Sequence, residues 1–278
     1  MIEAVRRRVS VRTYAEQPVE REKQDRLIEL MRNTETGVFG NRVRFELVDL
    51  SEMEKAELSG LGTYGFINGA RMYLVSAVAD KARAMEDVGY CFEKLILELT
   101  TMGLGTCWLG GTFKRAGFAR RIDIAPEEVC PAVSPVGYPA KRRTMRERAI
   151  RRLAKAGTRK PWSDLFYHVD EPLTQDSAGA YSTALECVRL GPSASNNQPW
   201  RIFKERGADV FHFCLKRTAG YDKVFKGVDL QLIDMGIAMS HFELASLELG
   251  LSGGWEAADP GTGFGNLEYI VTWKGNSG

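Results

Sequence analysis

The chain has 278 residues, 44% of them hydrophobic and 27% charged, and a formal net charge of +2. These are ordinary globular values and exclude a disordered, collagenous or coiled-coil chain. At roughly 100–200 residues per domain the length allows one large domain or two ordinary ones, and either can bury a sizeable core.

Leu27, Leu30 and Met31 recur at helical spacing in a charged background, which predicts a helix over 19–33. Residues 43–50 and 71–79 read as strands, the second buried. A long helix follows over about 86–102, with Gly103 as its stop. Residues 129–138 read as extended, broken by Pro131 and Pro135. The second half repeats this order: a helix over 177–189, strands over 200–205 and 209–215, a long helix over 234–249, and a last strand over 267–274.

The repetition survives alignment. At an offset of 147, Asp87, Gly89, Leu97, Gly103, Leu104 and Trp108 fall on Asp234, Gly236, Leu244, Gly250, Leu251 and Trp255 without a gap. Two amphipathic helices resemble each other by default, but a shared Gly-Leu followed by Trp four residues later does not come from periodicity. The chain therefore reads as a duplication, with halves at 1–140 and 161–278 that form one compact unit. Between them, residues 141–160 hold ten Lys/Arg and one acid, so this connector carries +9 and the remainder of the chain −7.

Composition excludes several functions. The connector lacks interleaved aromatics, so no nucleic-acid partner is expected. The opening MIEAVRRRVSVR has no apolar core of a signal peptide, and no apolar stretch reaches about 18 residues, so the expectation is a cytoplasmic protein with no membrane partner. Five Cys without CxxC spacing read as buried thiols. The three His lack metal-ligand spacing, so no metal site is expected. Gly60–Gly65 fits GxGxxG, but a helix-like stretch precedes it where a dinucleotide site needs a strand.

Three segments carry candidate chemistry. Arg8, Ser10 and Arg12 alternate along an extended segment, so their side chains share one side and suit a phosphate; the other reading is a solvated basic N-terminus. Pro192–Trp200, PSASNNQPW, is a polar loop between prolines that can approach a ligand or form a plain surface turn. Gly103–Gly111, GLGTCWLGG, exposes backbone amides after a helix or simply ends it.

In combination these motifs, with GYPA at Gly137–Ala140, resemble the FMN-dependent nitroreductase family, over most of the chain. The resemblance implies an α+β protein with a nitroreductase-like three-layer α/β/α fold. Family members are homodimers whose FMN takes the Arg-Ser-Arg segment from one subunit and the PSxxN loop from the other. Here the two motifs lie in different halves of one chain, which is similar to a fused pseudo-dimer acting as a monomer. The implied cofactor contacts are Arg8, Ser10 and Arg12 for the phosphate end, and Pro192, Ser193, Ala194 and Asn196 from the other half. Amides near Leu109, Gly110 and Gly111 would face the flavin ring, and Lys141, Arg142 or Arg143 would approach the phosphate. No catalytic side chain is expected, because the flavin carries the chemistry. The implied function is an oxidoreductase taking hydride from NADH or NADPH and passing it by ping-pong transfer to a nitroaromatic or quinone-type acceptor. The alternative is a flavin sensor or carrier without turnover. At an offset of 154, Arg8, Ser10 and Arg12 align with Trp162, Asp164 and Phe166, and residues 36–41 lack the PSxxN pattern, so one FMN per chain is expected.

Overall fold

A computed structural model describes residues 1–53, 61, 63, 66–111, 113–142, 144, 147–149, 152, 157–168, 171–219, 228–258, 261 and 264–276. The first half runs α1 (Ile2–Arg7), α2 (Arg21–Asn33), β1 (Val43–Asp49), β2 (Met72–Ala79), α3 (Ala84–Thr101), β3 (Gly105–Thr106), α4 (Arg115–Ala119), β4 (Glu128–Val129) and β5 (Val133–Gly137). The second runs β6 (Phe166–Tyr167), α5 (Gln175–Ala178), α6 (Ser182–Leu190), β7 (Trp200–Lys204), β8 (Val210–Leu215), α7 (Leu230–Glu248), β9 (Gly253–Glu256) and β10 (Glu268–Gly275).

Each half builds its own sheet. The first has the order β1-β2-β5-β3, with β4 beside β2, and the second β6-β7-β8-β10-β9. Matching β1 to β7, β2 to β8, β5 to β10 and β3 to β9 gives the same order twice. The addition is β6, which reaches the second sheet from the end of the connector and pairs parallel with β7, while the other ladders are antiparallel.

Helices α3 and α7 pack on each other between the sheets. Both are buried over most of their length, α7 as a largely apolar helix and α3 with Glu86, Asp87 and Glu93 buried among its apolar side chains. Their crossing is set by the repeat. A Cβ added to Gly89 would stand 2.0 Å from the Ile233 carbonyl oxygen, and one added to Gly236 would stand 1.9 Å from that of Glu86. Glu86 and Ile233 are themselves related by the 147 offset, so each helix presses its glycine on the matching turn of the other. One hydrophobic core runs through both halves, from Ala4 to Trp273. A second lies on the far face of the first sheet, where Tyr73 meets Phe118 of α4 at a centroid distance of 5.2 Å. The first sheet is thus covered by helix on both faces, and β2 is buried over nearly its whole length.

Most sequence-derived elements stand within a few residues of their expected ends, and α3 and α7 stop next to Gly103 and Gly250 with φ of +77° and +73°. Three differ. Helix α1 was not expected, since six residues rich in Arg give too little periodicity; its buried anchors are Ala4 and Val5. The helix over 177–189 is split, because Gly179 takes φ +60° and ψ −136° after a Thr174–Ser177 capping box. Strand β9 was not expected; it begins on two glycines, which are weak strand formers, and is held by its ladder to β10. All five cysteines are buried and free. Among the described residues no helix is long and apolar enough to cross a membrane.

Candidate functional site

The halves enclose a cavity of about 570 Å³, a volume typical of small-molecule sites. Its walls bring together segments far apart in sequence: Arg8, Ser10 and Arg12; Trp108 to Gly111; Pro192 to Asn196; and Leu230, Ile233, Asp234 and Ile237 of α7. Ten of the thirteen residues named from the sequence line it: Arg8, Ser10, Arg12, Leu109, Gly110, Gly111, Pro192, Ser193, Ala194 and Asn196. Lys141 and Arg142 are exposed and not part of the wall, and Arg143 lies outside the described residues. The connector cation in the wall is Arg159.

The Arg-Ser-Arg segment is placed by what flanks it. Helix α1 ends at Arg8, where ψ of 125° turns the chain extended. The Val11 amide then donates to Thr106 O at 2.8 Å, laying the segment beside β3. Arg8 Nε and Arg12 Nη1 are buried and have no hydrogen-bond acceptor among the described residues. Arg8 Nε faces Glu93 Oε1 at 3.9 Å, beyond hydrogen-bond reach; buried guanidinium donors without a hydrogen bond cost free energy, and an anionic ligand would recover it. Arg159 is held from behind, with Nη2 and Nε donating to Leu190 O at 2.9 and 3.3 Å. Burial pushes its pKa down to about 10, and like charge from Arg8 and Arg189 adds to the effect.

The Pro192–Gln198 loop is backbone-strained. Ser195, Asn196 and Gln198 take φ of +51°, +57° and +46° with no glycine among them, a conformation that persists only when the surroundings over-determine it. Those surroundings are explicit. Ala194 N donates to Asp234 Oδ1 at 2.9 Å and Gln198 N to Ser193 Oγ at 2.8 Å. Lys160 N donates to Gln198 Oε1 at 2.8 Å and Asn196 Nδ2 to Thr158 O at 3.1 Å. The end of the connector is therefore a strut for this loop. On the facing wall the Leu109 amide donates to Val133 O at 2.9 Å, so it cannot serve a ligand. That leaves Gly110 and Gly111 of the three expected amides.

Asp234 had been read only as a repeat identity. Its Oδ1 fixes the loop, and its Oδ2 is buried with no hydrogen-bond partner among the described residues. Burial raises its carboxyl well above the usual carboxylate range; the Ala194 amide opposes this and Asp229 adds to it. A group whose folded pKa is raised stabilises most below its unfolded value and loses that contribution as pH rises. Asp234→Asn keeps the acceptor and removes the charge. Urea unfolding is therefore expected to show the wild type losing stability relative to Asp234→Asn as pH rises above about 4. A constant difference across pH would contradict the assignment.

The matching position in the first half is closed. Asp87 there holds residues 39–41, accepting from Phe39 N at 2.9 Å, Asn41 N at 2.9 Å and Asn41 Nδ2 at 3.0 Å. The α3 residues matching Leu230 and Ile233 are Arg83 and Glu86. Arg83 lies 4.3 Å over the Phe39 ring and pairs with Glu86 at 3.1 Å. Trp162 and Phe166, which align with Arg8 and Arg12, pack edge to face with ring centroids 4.7 Å apart, and Phe166 is core. These side chains occupy the positions that match the cavity wall of the other half.

Two matched halves, a shared helix layer and a cavity between them define a nitroreductase-type fold. The family model described as "Putative TM nitroreductase" matches residues 1–246, and the chain belongs to that family. The crystal structure of a protein described as a "putative nitroreductase" from Thermotoga maritima is 20% identical, with a TM-score of 0.62, covering 98% of this chain and 92% of its own. A nitroreductase family protein from Clostridium difficile 630 is 18% identical with a TM-score of 0.45, covering 59% of this chain and 95% of its own. An FMN-dependent nitroreductase from Clostridium difficile R20291 is 20% identical with a TM-score of 0.40, covering 52% of this chain and 90% of its own. No curated protein matches the chain.

Proposed function

We propose that the chain is an FMN-dependent oxidoreductase that transfers hydride from NAD(P)H to a nitroaromatic or quinone-type acceptor by ping-pong, with one FMN per chain between the halves. The observation that carries this reading is the pair of buried guanidinium nitrogens, on Arg8 and Arg12, without acceptors in a cavity that also receives the PSxxN loop. They suit the phosphate of an FMN-sized ligand. Bound FMN supplies hydride acceptance and donation at its ring.

The residues around it bind and orient. Arg8, Arg12 and Ser10 take the phosphate end, with Arg159 adding positive charge behind them. Pro192, Ser193, Ala194 and Asn196 contact the cofactor from the other half. Gly110 and Gly111 offer amides to the ring edge, while Leu230, Ile233 and Ile237 keep water from one side. Val9 and Phe66, 39% and 41% exposed, form an apolar rim where an aromatic acceptor would stack. The boundaries 1–140 and 161–278 are proposed on the same basis, with the intervening connector ending in the loop strut.

The purified protein is expected to be yellow, with about one FMN per chain by absorbance against protein concentration. A ratio near two would overturn the single-site reading, and a colourless protein that takes up no FMN would overturn the cofactor. Steady-state oxidation of NADH or NADPH with a quinone separates an enzyme from a flavin carrier.

A further inference from the structure

Glu93 is fully buried on α3, and three other side chains converge on its carboxylate. Trp108 Nε1 donates to Oε2 at 2.6 Å. His241 Nε2 lies 2.8 Å from Oε1, with both side chains 0% exposed. Arg8 Nε stands 3.9 Å from the same Oε1. His241 Nδ1 is in turn 2.8 Å from Cys187 O. A carbonyl only accepts, so Nδ1 carries hydrogen, and a proton must also lie between Nε2 and Oε1 because both accept when bare.

The position of this cluster is what gives it meaning. Arg8 and Trp108 line the cavity, and Cys187 lies in α6 just before the Pro192 loop. One carboxylate therefore reaches the Arg-Ser-Arg segment, the glycine-rich loop and the helix that leads to the second ligand loop.

The other half holds a counterpart. Under the 147 offset Trp108 matches Trp255 and His241 matches Lys94. There Glu243, one turn beyond the residue matching Glu93, accepts from Trp255 Nε1 at 2.5 Å and from Lys94 Nζ at 3.0 Å. This second clasp is partly exposed, at 14% for Glu243 and 23% for Lys94. Among the described residues Glu243 pairs with no arginine; its polar partners there are Trp255, Lys94 and Tyr90. A clasp between helices is thus common to both halves, and only the cavity-side copy has gained a contact with a ligand-binding side chain.

We infer that Glu93 is a positioning residue for Arg8, holding its guanidinium in place before an anionic ligand arrives. The inference rests on the proposed function, in which Arg8 meets the FMN phosphate. Arg has many rotamers, and a fixed partner removes that freedom in advance, so binding does not have to. Glu93→Gln keeps the size and can still hydrogen-bond Trp108 and a neutral His241, but the oxygen that His241 and Arg8 share becomes an amide NH2, which cannot accept from Arg8.

The test titrates full-length protein freed of flavin with FMN and with riboflavin, which lacks the phosphate, and follows flavin fluorescence. The ratio of the two affinities reports the phosphate contact. Glu93→Gln is expected to lower that ratio about tenfold, the scale on which loss of an outer-sphere partner weakens a ligand. Glu243→Gln breaks the matching clasp and is expected to lower thermal stability while leaving the ratio unchanged. A merely structural role for Glu93 would give both variants the same pattern and would overturn the inference. If Glu93→Gln does not fold, Trp108→Phe removes one donor from the same carboxylate and should lower the ratio in the same direction; an unchanged ratio there counts against it. A wild type that binds FMN and riboflavin equally overturns the functional reading itself, whereas a wild type that prefers FMN beside a Glu93→Gln variant that still does so overturns only the positioning role.

Discussion

Gly236→Ala is expected to cost about 3 kcal/mol of folding free energy, the upper part of the range for overpacked cores. The added Cβ would sit 1.9 Å from Glu86 O and 2.6 Å from Tyr90 N. Both are backbone atoms of α3, so no side chain can swing away, and the helices must separate. That strains the single core that both halves share. Thermal unfolding followed by circular dichroism should show a midpoint roughly 6–12 °C lower, at 2–4 °C per kcal/mol for a chain of this size. Gly89→Ala should behave alike, because its Cβ would meet Ile233 O at 2.0 Å. Gly254, on exposed β9 with nothing within 4 Å of a new Cβ, is the control and should tolerate alanine. A melt unchanged by Gly236→Ala would mean that the helices do not cross at this point.

Arg8→Ala is expected to weaken FMN binding by about 10- to 100-fold, the equivalent of 1.5–3 kcal/mol for a hydrogen bond to a charged group. Riboflavin binding should change little. The side chain is nearly buried, at 5% exposure, so the guanidinium has little water to fall back on. Arg12→Ala should act in the same direction, since Arg12 Nη1 is likewise buried without an acceptor among the described residues. Equal losses for FMN and riboflavin would place the phosphate elsewhere and remove the main support for the proposed site.

Much of this was legible in the residues. The GLxxxW match at Gly103 and Gly250 pointed to a repeat, and the repeat is visible as two sheets with one strand order. Arg8, Ser10, Arg12 and the PSxxN loop each had an ordinary reading alone, as a solvated N-terminus and a surface turn, and only their combination set them apart. Arg159 was not, since ten cations in twenty residues give no local reason to prefer one. A usable signal lay in its neighbours, as Lys160-Pro161-Trp162 returns the chain to the core directly after it. Asp234 was visible as an acid within the apolar run Asp234–Met239, but its use depends on a loop forty residues away. Glu93 and His241 are 148 residues apart, and helical spacing within either element carries no trace of their contact.

The closed pocket around Asp87 has a genetic counterpart. In a dimer of identical subunits each codon change is written on both sides of the symmetry axis, so a substitution that fills one site fills the other. Joining the halves in one chain removes that constraint. Arg83 and Leu230, or Glu86 and Ile233, occupy matching places and are encoded separately. One copy can then be tuned for packing and the other for chemistry, and damage to the first leaves the second's contacts intact. The glycine crossing of α3 and α7 is where this freedom stops, because each glycine is pressed against the other copy's backbone and neither can drift alone.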